Sequence, residues 1–281
     1  MSKQEKPKKK IYAGSVILKI LVFAAAIFTI IMLGYLIIYI LVKGIPNLSP
    51  ELFALKYTTD NVSMLPSIIN TIIMIAIALL IAVPVGVFSA IYLTEYAKKG
   101  NKLVQVVRMT TETLTGITSI VYGLFGALFF VTALHMKLSI LAGILTVAIM
   151  VLPTVLRTTE EALLSVPVSY REGSFGLGAG KLRTVFKIVL PSAIPGILSG
   201  VILATGRIAG ETAALIYTAG TVADLPKGLL SSGRTLAVHM YVLSTEGLHT
   251  DQAFATAVIL LVMVLIINVL SAKIAGKMKK Q

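Results

Sequence analysis

The sequence predicts an all-α membrane protein with six transmembrane helices. Of its 281 residues, 57% are apolar and only 13% are charged, and the mean hydropathy is +0.93. A soluble domain would have about 25% charged residues. Six uncharged runs are long enough to cross a hydrocarbon core of about 30 Å, and the sequence lacks the alternating segments of a membrane β-barrel. The composition therefore excludes a free globular enzyme.

Each uncharged run is predicted to be one transmembrane helix, because a helix satisfies its own backbone hydrogen bonds in lipid. The six predicted spans are Ile20–Val42, Ser67–Thr94, Thr113–Leu134, Leu138–Leu156, Ile188–Gly206 and Gln252–Ala272. The first run follows five lysines but is too long for the core of a signal peptide, so we interpret it as a retained anchor. Because Ala213–Ala219 is also apolar, the fifth span has three possible endings: a longer span, a tilted span or a short re-entrant piece.

Lysine and arginine are distributed unevenly between the two sides of these spans. The two terminal tails and the loops at 95–112 and 157–187 contain eighteen, and the loops on the opposite side contain five. Because cytoplasmic loops are enriched in these residues, both termini are predicted to lie in the cytoplasm. The net charge of +13 then belongs mostly to the cytoplasmic face of a cell inner membrane, and it requires no nucleic-acid partner.

The predicted spans and tails divide the chain into four parts. Residues 1–19 form a basic cytoplasmic tail, and residues 20–64 contain the first anchor and an external loop. Residues 65–275 form the main membrane domain, which includes the inner loop at 157–187, and residues 276–281 form a second cytoplasmic tail.

The inner loop at 157–187 is predicted to contain a short helix of its own. Pro167 ends the helix that descends from the fourth span, since proline cannot continue it. Ser169 and Glu172 have the spacing of a capping box, which predicts a helix start. Three glycines, one of them expected in the left-handed conformation, are predicted to end this helix: Gly176, Gly178 and Gly180.

Two interpretations of this short helix remain open from its residues. It presents Tyr170 and Phe175 next to charges, which suits docking into a groove of another protein. Short amphipathic helices also lie on lipid headgroups.

Residues that carry chemistry are few. The chain has no cysteine, so disulfides and thiolate metal sites are excluded. The histidines lack ligand spacing, and no metal site is predicted; they are His135, His239 and His249. A P-loop needs Gly-x-x-x-x-Gly-Lys followed by Ser or Thr, but Phe175 stands at the first position and Leu182 at the last. We therefore predict that this chain does not bind ATP.

Small residues repeat along one face of the fifth span, at Ser192, Gly196, Gly200 and Ala204. Such a stripe allows helix backbones to approach closely in lipid, so Gly196, Gly200 and Ala204 are predicted to form a packing surface.

The helix of the fifth span is expected to continue through Arg207 to Glu211, four residues later, a spacing that allows the two side chains to pair on a helix. Arginine within a bilayer costs about 2.5–3.5 kcal/mol on insertion scales. At about 25 Å from Leu190, Arg207 is expected in the outer part of the membrane. Two interpretations remain open. In the first, the ion pair of Arg207 and Glu211 locks helices together. In the second, the guanidinium contacts an anion on a transport path, and Glu211 positions the guanidinium and keeps it from binding the anion too tightly.

Two segments carry a family resemblance. The segment Glu172-Gly-Ser-x-x-x-Gly178, followed by Ile188-x-Leu190-Pro191, resembles the EAA loop of ABC importer permeases, with Gly173 and Ser174 in place of the usual alanines. The segment Gly206-Arg207-Ile-Ala-Gly210-Glu211-Thr212-Ala213 is very similar to a stretch of the permease subunits of bacterial phosphate ABC importers. The following Tyr217-Thr218-Ala219 favours the A-type subunit, with Ala214 where that subunit often has proline.

The resemblance implies a type I importer permease of the MetI-like fold that moves inorganic phosphate and is not itself an enzyme. Its implied partners are a second permease subunit of C type, two copies of a cytoplasmic ATPase, an extracytoplasmic phosphate-binding protein and membrane lipid. The chain would need no cofactor, since ATP and Mg²⁺ would be bound by the ATPase. The substrate pathway would include Arg207 and Glu211. The residues expected to couple to the ATPase are Ser169, Tyr170, Glu172, Phe175 and Gly178.

Two other functions are weighed against this one. A permease for another oxyanion, such as phosphonate, sulfate or molybdate, would keep the inner loop motif but differ around Arg207. A secondary transporter is less favoured, because inverted repeats and paired broken helices are not evident in the sequence.

Overall fold

The computed structural model describes residues 13–98 and 100–278, and every regular element within these ranges is helical. The all-α prediction is therefore confirmed. Some of the basic residues counted in the predicted cytoplasmic tails and loops lie outside the described ranges, namely Lys3, Lys6, Lys8, Lys9, Lys10, Lys99, Lys279 and Lys280.

Eleven α-helices follow one another within the described ranges. They are α1 (Ala13–Gly44), α2 (Leu65–Ile91), α3 (Lys102–Thr115), α4 (Ser119–Gly126), α5 (Ile140–Leu164), α6 (Val168–Gly176), α7 (Lys181–Thr184), α8 (Leu190–Ala209), α9 (Ala213–Thr218), α10 (Leu236–Glu246) and α11 (Thr250–Met278). Short 3-10 turns follow α1 at Ile45–Asn47 and Pro50–Phe53. Turns of π-helix extend α2 and α4 and join α7 to α8, at Tyr92–Tyr96, Ala127–Ala133 and Val185–Val189.

Five helical stretches are long and apolar enough to cross a membrane: Ile17–Asn47, Leu65–Tyr96, Ile140–Leu164, Lys181–Ala209 and Thr250–Lys273. A sixth is obtained if the bent pair at 102–115 and 119–133 counts as one span. Each predicted span overlaps one of these six stretches.

The predicted start of the third span at Thr113 is wrong. The chain turns by 106° between α3 and the helical stretch that begins at Ser119. Gly116 ends α3, and Thr118 adopts an extended conformation, with φ −71° and ψ 150°, before α4. Because residues 113–118 carry no charge, hydropathy alone gave no sign of this bend.

Helix α5 lies at the centre of the bundle and contacts α2 and α8 along its length. Its side chains Ile144, Val147 and Val151 are completely buried. With 25 residues, it is about 37 Å long and reaches both ends of the bundle. We call these the α10 end, where α2 and α5 begin, and the α6 end, where they finish.

The predicted inner loop at 157–187 is mostly helical. The helix of the fourth span continues beyond Leu156 to Leu164, and α6 and α7 follow. Pro167 separates α5 from α6, as predicted, and lies immediately before the first residue of α6.

The chain after the fifth span forms a short separate helix, α9, rather than a longer span. Helix α8 ends at Ala209, and α9 then packs against α4 and α5. A Cβ on Gly123 would lie only 2.7 Å from the Cα of Ala214, so glycine is what allows α4 to approach α9 so closely. Of the three expected endings, the structure has the short piece folded back against the bundle.

Candidate functional site

Helix α6 begins differently from the sequence prediction. Pro167 occupies the N-cap position, and no side chain caps the first turn. Ser169 is already the second helical residue, so the predicted capping box with Glu172 is not formed. The proline ring fixes the backbone at the helix entry, and the Tyr170 amide donates to the Pro167 carbonyl oxygen at 3.2 Å.

The end of α6 follows the prediction for a glycine stop. Gly178 has a φ of +80°, the left-handed conformation that glycine adopts without a steric penalty. Its amide donates to the Phe175 carbonyl oxygen at 2.9 Å, and the Ala179 amide donates to that of Ser174 at 3.1 Å. These two bonds form a Schellman motif, which satisfies the last carbonyl groups of the helix.

The residues predicted to couple to an ATPase all lie on the exposed surface of this segment. They are Ser169, Tyr170, Glu172, Phe175 and Gly178. Tyr170 and Phe175 are about half exposed, and Leu177, which sequence reasoning missed, is 91% exposed at the turn after α6. A short helix between two breaks thus presents aromatic and aliphatic side chains away from the bundle.

Two polar contacts fix the inner side of α6. The Arg171 guanidinium donates to Oε1 of Glu95, at the end of α2, with a shortest distance of 2.7 Å. On the other side, the hydroxyls of Ser174 and Thr184 are 2.8 Å apart and buried, which joins α6 to α7. Neither contact was predicted, because the partners are far apart in sequence or follow no motif.

The small residues of α8 lie against α5. A Cβ on Gly196 would be 2.5 Å from the Cβ of Ala162, and one on Gly200 would overlap the Thr158 hydroxyl. Ala204 is completely buried. Ser192, the first member of the stripe, is exposed and donates to the carbonyl of its own preceding turn.

Arg207 lies in the last turn of α8, toward the α10 end of the bundle. Seventeen residues separate it from Leu190, which corresponds to about 25 Å along the helix. Its side chain is partly exposed, and none of the ion pairs among the described residues includes it.

The expected placement of Arg207 and Glu211 on one helix is wrong. Helix α8 ends at Ala209, and the chain turns at Gly210. Glu211 is buried, with 7% exposure, and its Oε1 accepts a hydrogen bond from the Ala214 amide at 3.0 Å. The carboxylate thus stabilises the first turn of α9, where backbone amides have no helical partner, and it does not pair with Arg207.

A second polar cluster, which sequence reasoning missed, lies at the α10 end outside the candidate spans. The buried guanidinium of Arg234 is stacked 4.8 Å from the centre of the Tyr57 ring, and the same ring meets His239 edge to face. Burial and, to a smaller extent, the charge of Arg234 lower the pKa of His239 to about 3, and a backbone contact with Val62 opposes this shift. Tyr57 is far in sequence from Arg234 and His239, so no spacing could have shown this cluster.

The residues that could bind a metal are not grouped in the described part of the chain, where no set of three or more His, Cys, Asp or Glu side chains converges. The candidate functional residues instead form two separate groups. The α6 surface lies at one end of the bundle, and Arg207 lies toward the other.

Chains of solved bacterial ABC transporters have the same fold. The chain is similar to a chain of a bacterial alginate ABC transporter in complex with alginate pentasaccharide-bound periplasmic protein, with a TM-score of 0.70 and 15% identity, over 94% of this chain and 96% of that chain. It is also similar to a chain of the inward-facing MetNI methionine ABC transporter, with a TM-score of 0.59 and 21% identity, over 76% and 94% of the two chains. The predicted MetI-like fold is therefore confirmed.

The chain belongs to the family of binding-protein-dependent transport system inner membrane components, which matches residues 82–280. It is 34% identical to the probable ABC transporter permease protein YqgI of Bacillus subtilis, over 90% of this chain and 92% of that protein. It is 32% identical to the phosphate transport system permease protein PstA of Pasteurella multocida (88% and 89% covered) and to that of Yersinia pestis (92% and 89%). These relatives confirm the resemblance drawn from the two sequence motifs.

Proposed function

We propose that this chain is the A-type permease subunit of an ATP-driven importer of inorganic phosphate and forms half of the translocation pathway. The observation that carries the proposal is the guanidinium of Arg207 near the far end of α8, which forms no ion pair with any residue that the structure describes. Glu211, the acidic residue that would neutralise it, is engaged by α9 instead. A positive charge kept at this depth without a protein counterion is costly and suits a transported anion. The relatives named as phosphate transport permeases support phosphate as that anion.

The chemistry of Arg207 fits a tetrahedral oxyanion. Its guanidinium is permanently charged and offers paired N–H donors in a planar fork that matches two phosphate oxygens. A single arginine at a partly exposed position holds the anion less tightly than a closed cage would. Transport requires this weakness, because a solute must leave the site as readily as it enters.

The α6 surface is proposed to dock the ATPase. Its exposed aromatic and aliphatic side chains, Tyr170, Phe175 and Leu177, suit insertion of a helix into a groove of a partner. ATP and Mg²⁺ would be bound by that partner, of which two copies would serve this chain and a companion permease of C type. An extracytoplasmic phosphate-binding protein would deliver the ion at the opposite end.

This assignment fixes the proposed orientation. The α6 end, together with both termini, would face the cytoplasm, where the excess of lysine and arginine belongs. The α10 end and Arg207 would then lie toward the outside, where the binding protein delivers its anion.

The proposal is tested by replacing Arg207 with alanine and with lysine in the complex assembled with its partners in lipid vesicles. We expect Arg207→Ala to reduce phosphate uptake at least about tenfold, since a charged hydrogen-bond donor to the ion is lost. Arg207→Lys should retain part of the uptake, because the charge remains while the fork is lost.

The matched control is Arg157→Ala. It removes one positive charge, as Arg207→Ala does, but from an exposed arginine at the α6 end, and it should leave phosphate uptake unchanged. Unchanged uptake by Arg207→Ala would remove this residue from the pathway. If the unaltered complex took up sulfate, molybdate or a phosphonate in preference to phosphate, that oxyanion would replace phosphate as the proposed substrate.

A further inference from the structure

The Arg171 side chain connects three elements at the α6 end. Its Nε and Nη2 donate to Oε1 of Glu95 at 3.1 and 2.7 Å, which joins α6 to the π-helical turn that extends α2. The same guanidinium donates through Nη2 to the Leu163 carbonyl oxygen and through Nη1 to that of Val166, both at 2.9 Å. These two acceptors belong to the end of α5 and the turn that follows it.

The environment of this ion pair distinguishes it from a surface pair. The side chains of Arg171 and Glu95 are only 18% and 10% exposed, so water screens their interaction weakly. The pair of Arg157 and Glu161 lies nearby within α5, but its members are 57% and 64% exposed and join no two elements. Exposed pairs of that kind contribute little to stability.

Arg171 also lies between residues that face in the opposite direction. Its neighbours Tyr170 and Glu172 are exposed on the proposed docking surface, whereas Arg171 reaches back into the bundle. On the other side of α6, Ser174 contacts Thr184, from which the chain continues into α8 and Arg207. Helix α6 is therefore held at two points, one to α5 and the end of the α2 stretch and one to α7, which leads into α8.

We infer that Arg171 is a positioning residue that transmits movements of α6 to α2 and α5. The inference deepens the proposed function, on which it rests for the docking of an ATPase at α6. A displacement of α6 would reach α8 through Ser174 and Thr184 and would reach α2 through the ion pair with Glu95. Without Arg171, α6 keeps its exposed surface and its connection to α8 but loses its connection to α2.

The test uses the complex with its ATPase and companion permease in lipid vesicles. Because this chain has no cysteine, Gly206→Cys provides a single reporter thiol beside Arg207, where an added Cβ meets open space. With cysteine-free partners, the rate of thiol labelling is measured with and without a non-hydrolysable ATP analogue. Phosphate uptake per ATP hydrolysed and retention of the ATPase on purification are measured in the same preparations.

We expect Arg171→Gln to retain the ATPase, to abolish the effect of the analogue on labelling and to lower uptake per ATP about tenfold, as the loss of charge-assisted hydrogen bonds predicts. Glu95→Gln, which leaves the bonds to α5 in place, should shift both readouts in the same direction. The double variant should lower phosphate uptake per ATP no further than Arg171→Gln alone, because the two residues act through one contact. Arg157→Gln is the matched control and should behave as the unaltered complex.

Two results would overturn the inference. One is full coupling in both single variants. The other is loss of the ATPase in proportion to the loss of uptake, which would mean that Arg171 only keeps α6 folded. If the unaltered complex moved no phosphate, the proposed substrate would be wrong, while the labelling response to the ATP analogue would still decide the role of Arg171.

Discussion

A single hydrogen bond determines how the charged end of α8 is interpreted. The spacing of Arg207 and Glu211 predicts that they can pair on one helix, but the Ala214 amide donates to the Glu211 carboxylate instead. Among the described residues, the guanidinium then forms no ion pair. The carboxylate has a structural task at the start of α9, and this task makes its role separable from that of Arg207.

Glutamine at position 211 should preserve this task. In Glu211→Gln the side-chain oxygen still accepts from the Ala214 amide, so we expect stability and phosphate uptake close to those of the unaltered chain. In Glu211→Ala the cap is lost, and the free energy of unfolding should fall by about 1 kcal/mol. Thermal unfolding in detergent and uptake in vesicles measure both effects. Loss of uptake in a stable Glu211→Gln variant would instead make the charge itself part of the pathway.

The buried His239 predicts a pH dependence at the α10 end. Its pKa is lowered from 6.5 to about 3 by burial and by Arg234, so between these values the unfolded chain binds a proton that the folded chain does not. Stability should therefore fall as the pH decreases below about 6.5, by about 2 kcal/mol at pH 5 from this residue alone.

His239→Gln removes the titrating group and should flatten this part of the stability profile. The stability of both proteins is measured by thermal unfolding between pH 7.5 and 5, and the slopes of stability against pH are compared. A loss of stability from imperfect packing is the same at each pH and does not change the slope. Equal slopes in the two proteins would mean that the pKa of His239 is the same in the folded and the unfolded chain.

At the scale of elements, close contact between α5 and α8 depends on residues without side chains. A Cβ on Gly200 would overlap the Thr158 hydroxyl and lie 2.8 Å from its Cβ. We expect Gly200→Ala to lower the free energy of unfolding by about 1–3 kcal/mol through overpacking. Gly206→Ala, on the same helix with open space around it, is the control and should be neutral or slightly stabilising. Equal melting temperatures for both variants would contradict a tight α5–α8 contact.

The sequence was sufficient to predict the elements that depend on local composition, namely the apolar spans and the two ends of α6. Uncharged runs located all six candidate spans, and Pro167 and Gly178 correctly bounded α6, because proline and left-handed glycine act locally. The bend before Ser119 and the turn at Gly210 were not predictable from hydropathy, since the chain stays apolar through both. These two turns decide where α4 and α9 lie, and with them the surroundings of Arg207.

The candidate site shows the same division between local and distant signals. The motif around Glu172 and the isolated charge of Arg207 are visible in the sequence, because each is a local departure from its surroundings. Arg171 gave no signal, since its partner Glu95 is 76 residues away and ordinary in its own context. Contacts of this kind depend on how α2 and α6 meet, which no spacing within either segment specifies.

At the scale of the whole molecule, the two candidate sites, the α6 surface and Arg207, are separated by the length of α8. The α6 surface and Arg207 lie at opposite ends of one continuous helical stretch, Lys181–Ala209, that also packs along α5. In the proposed mechanism, this stretch would carry a displacement of α6 toward Arg207. The proposed mechanism therefore depends on which end faces the cytoplasm.

The orientation can be read from two exposed leucines. Leu177, 91% exposed, lies at the α6 end, and Leu248, 83% exposed, lies in the turn between α10 and α11. Because the chain has no cysteine, Leu177→Cys and Leu248→Cys each introduce its only thiol. The charge asymmetry predicts that a membrane-impermeant thiol reagent added to intact cells, with the outer membrane permeabilised where one is present, labels position 248 and not position 177. Both positions should react after the inner membrane is opened, which controls for burial in the assembled complex. Labelling of position 177 in intact cells would place α6 outside, where no ATPase can dock, and would contradict the proposed orientation.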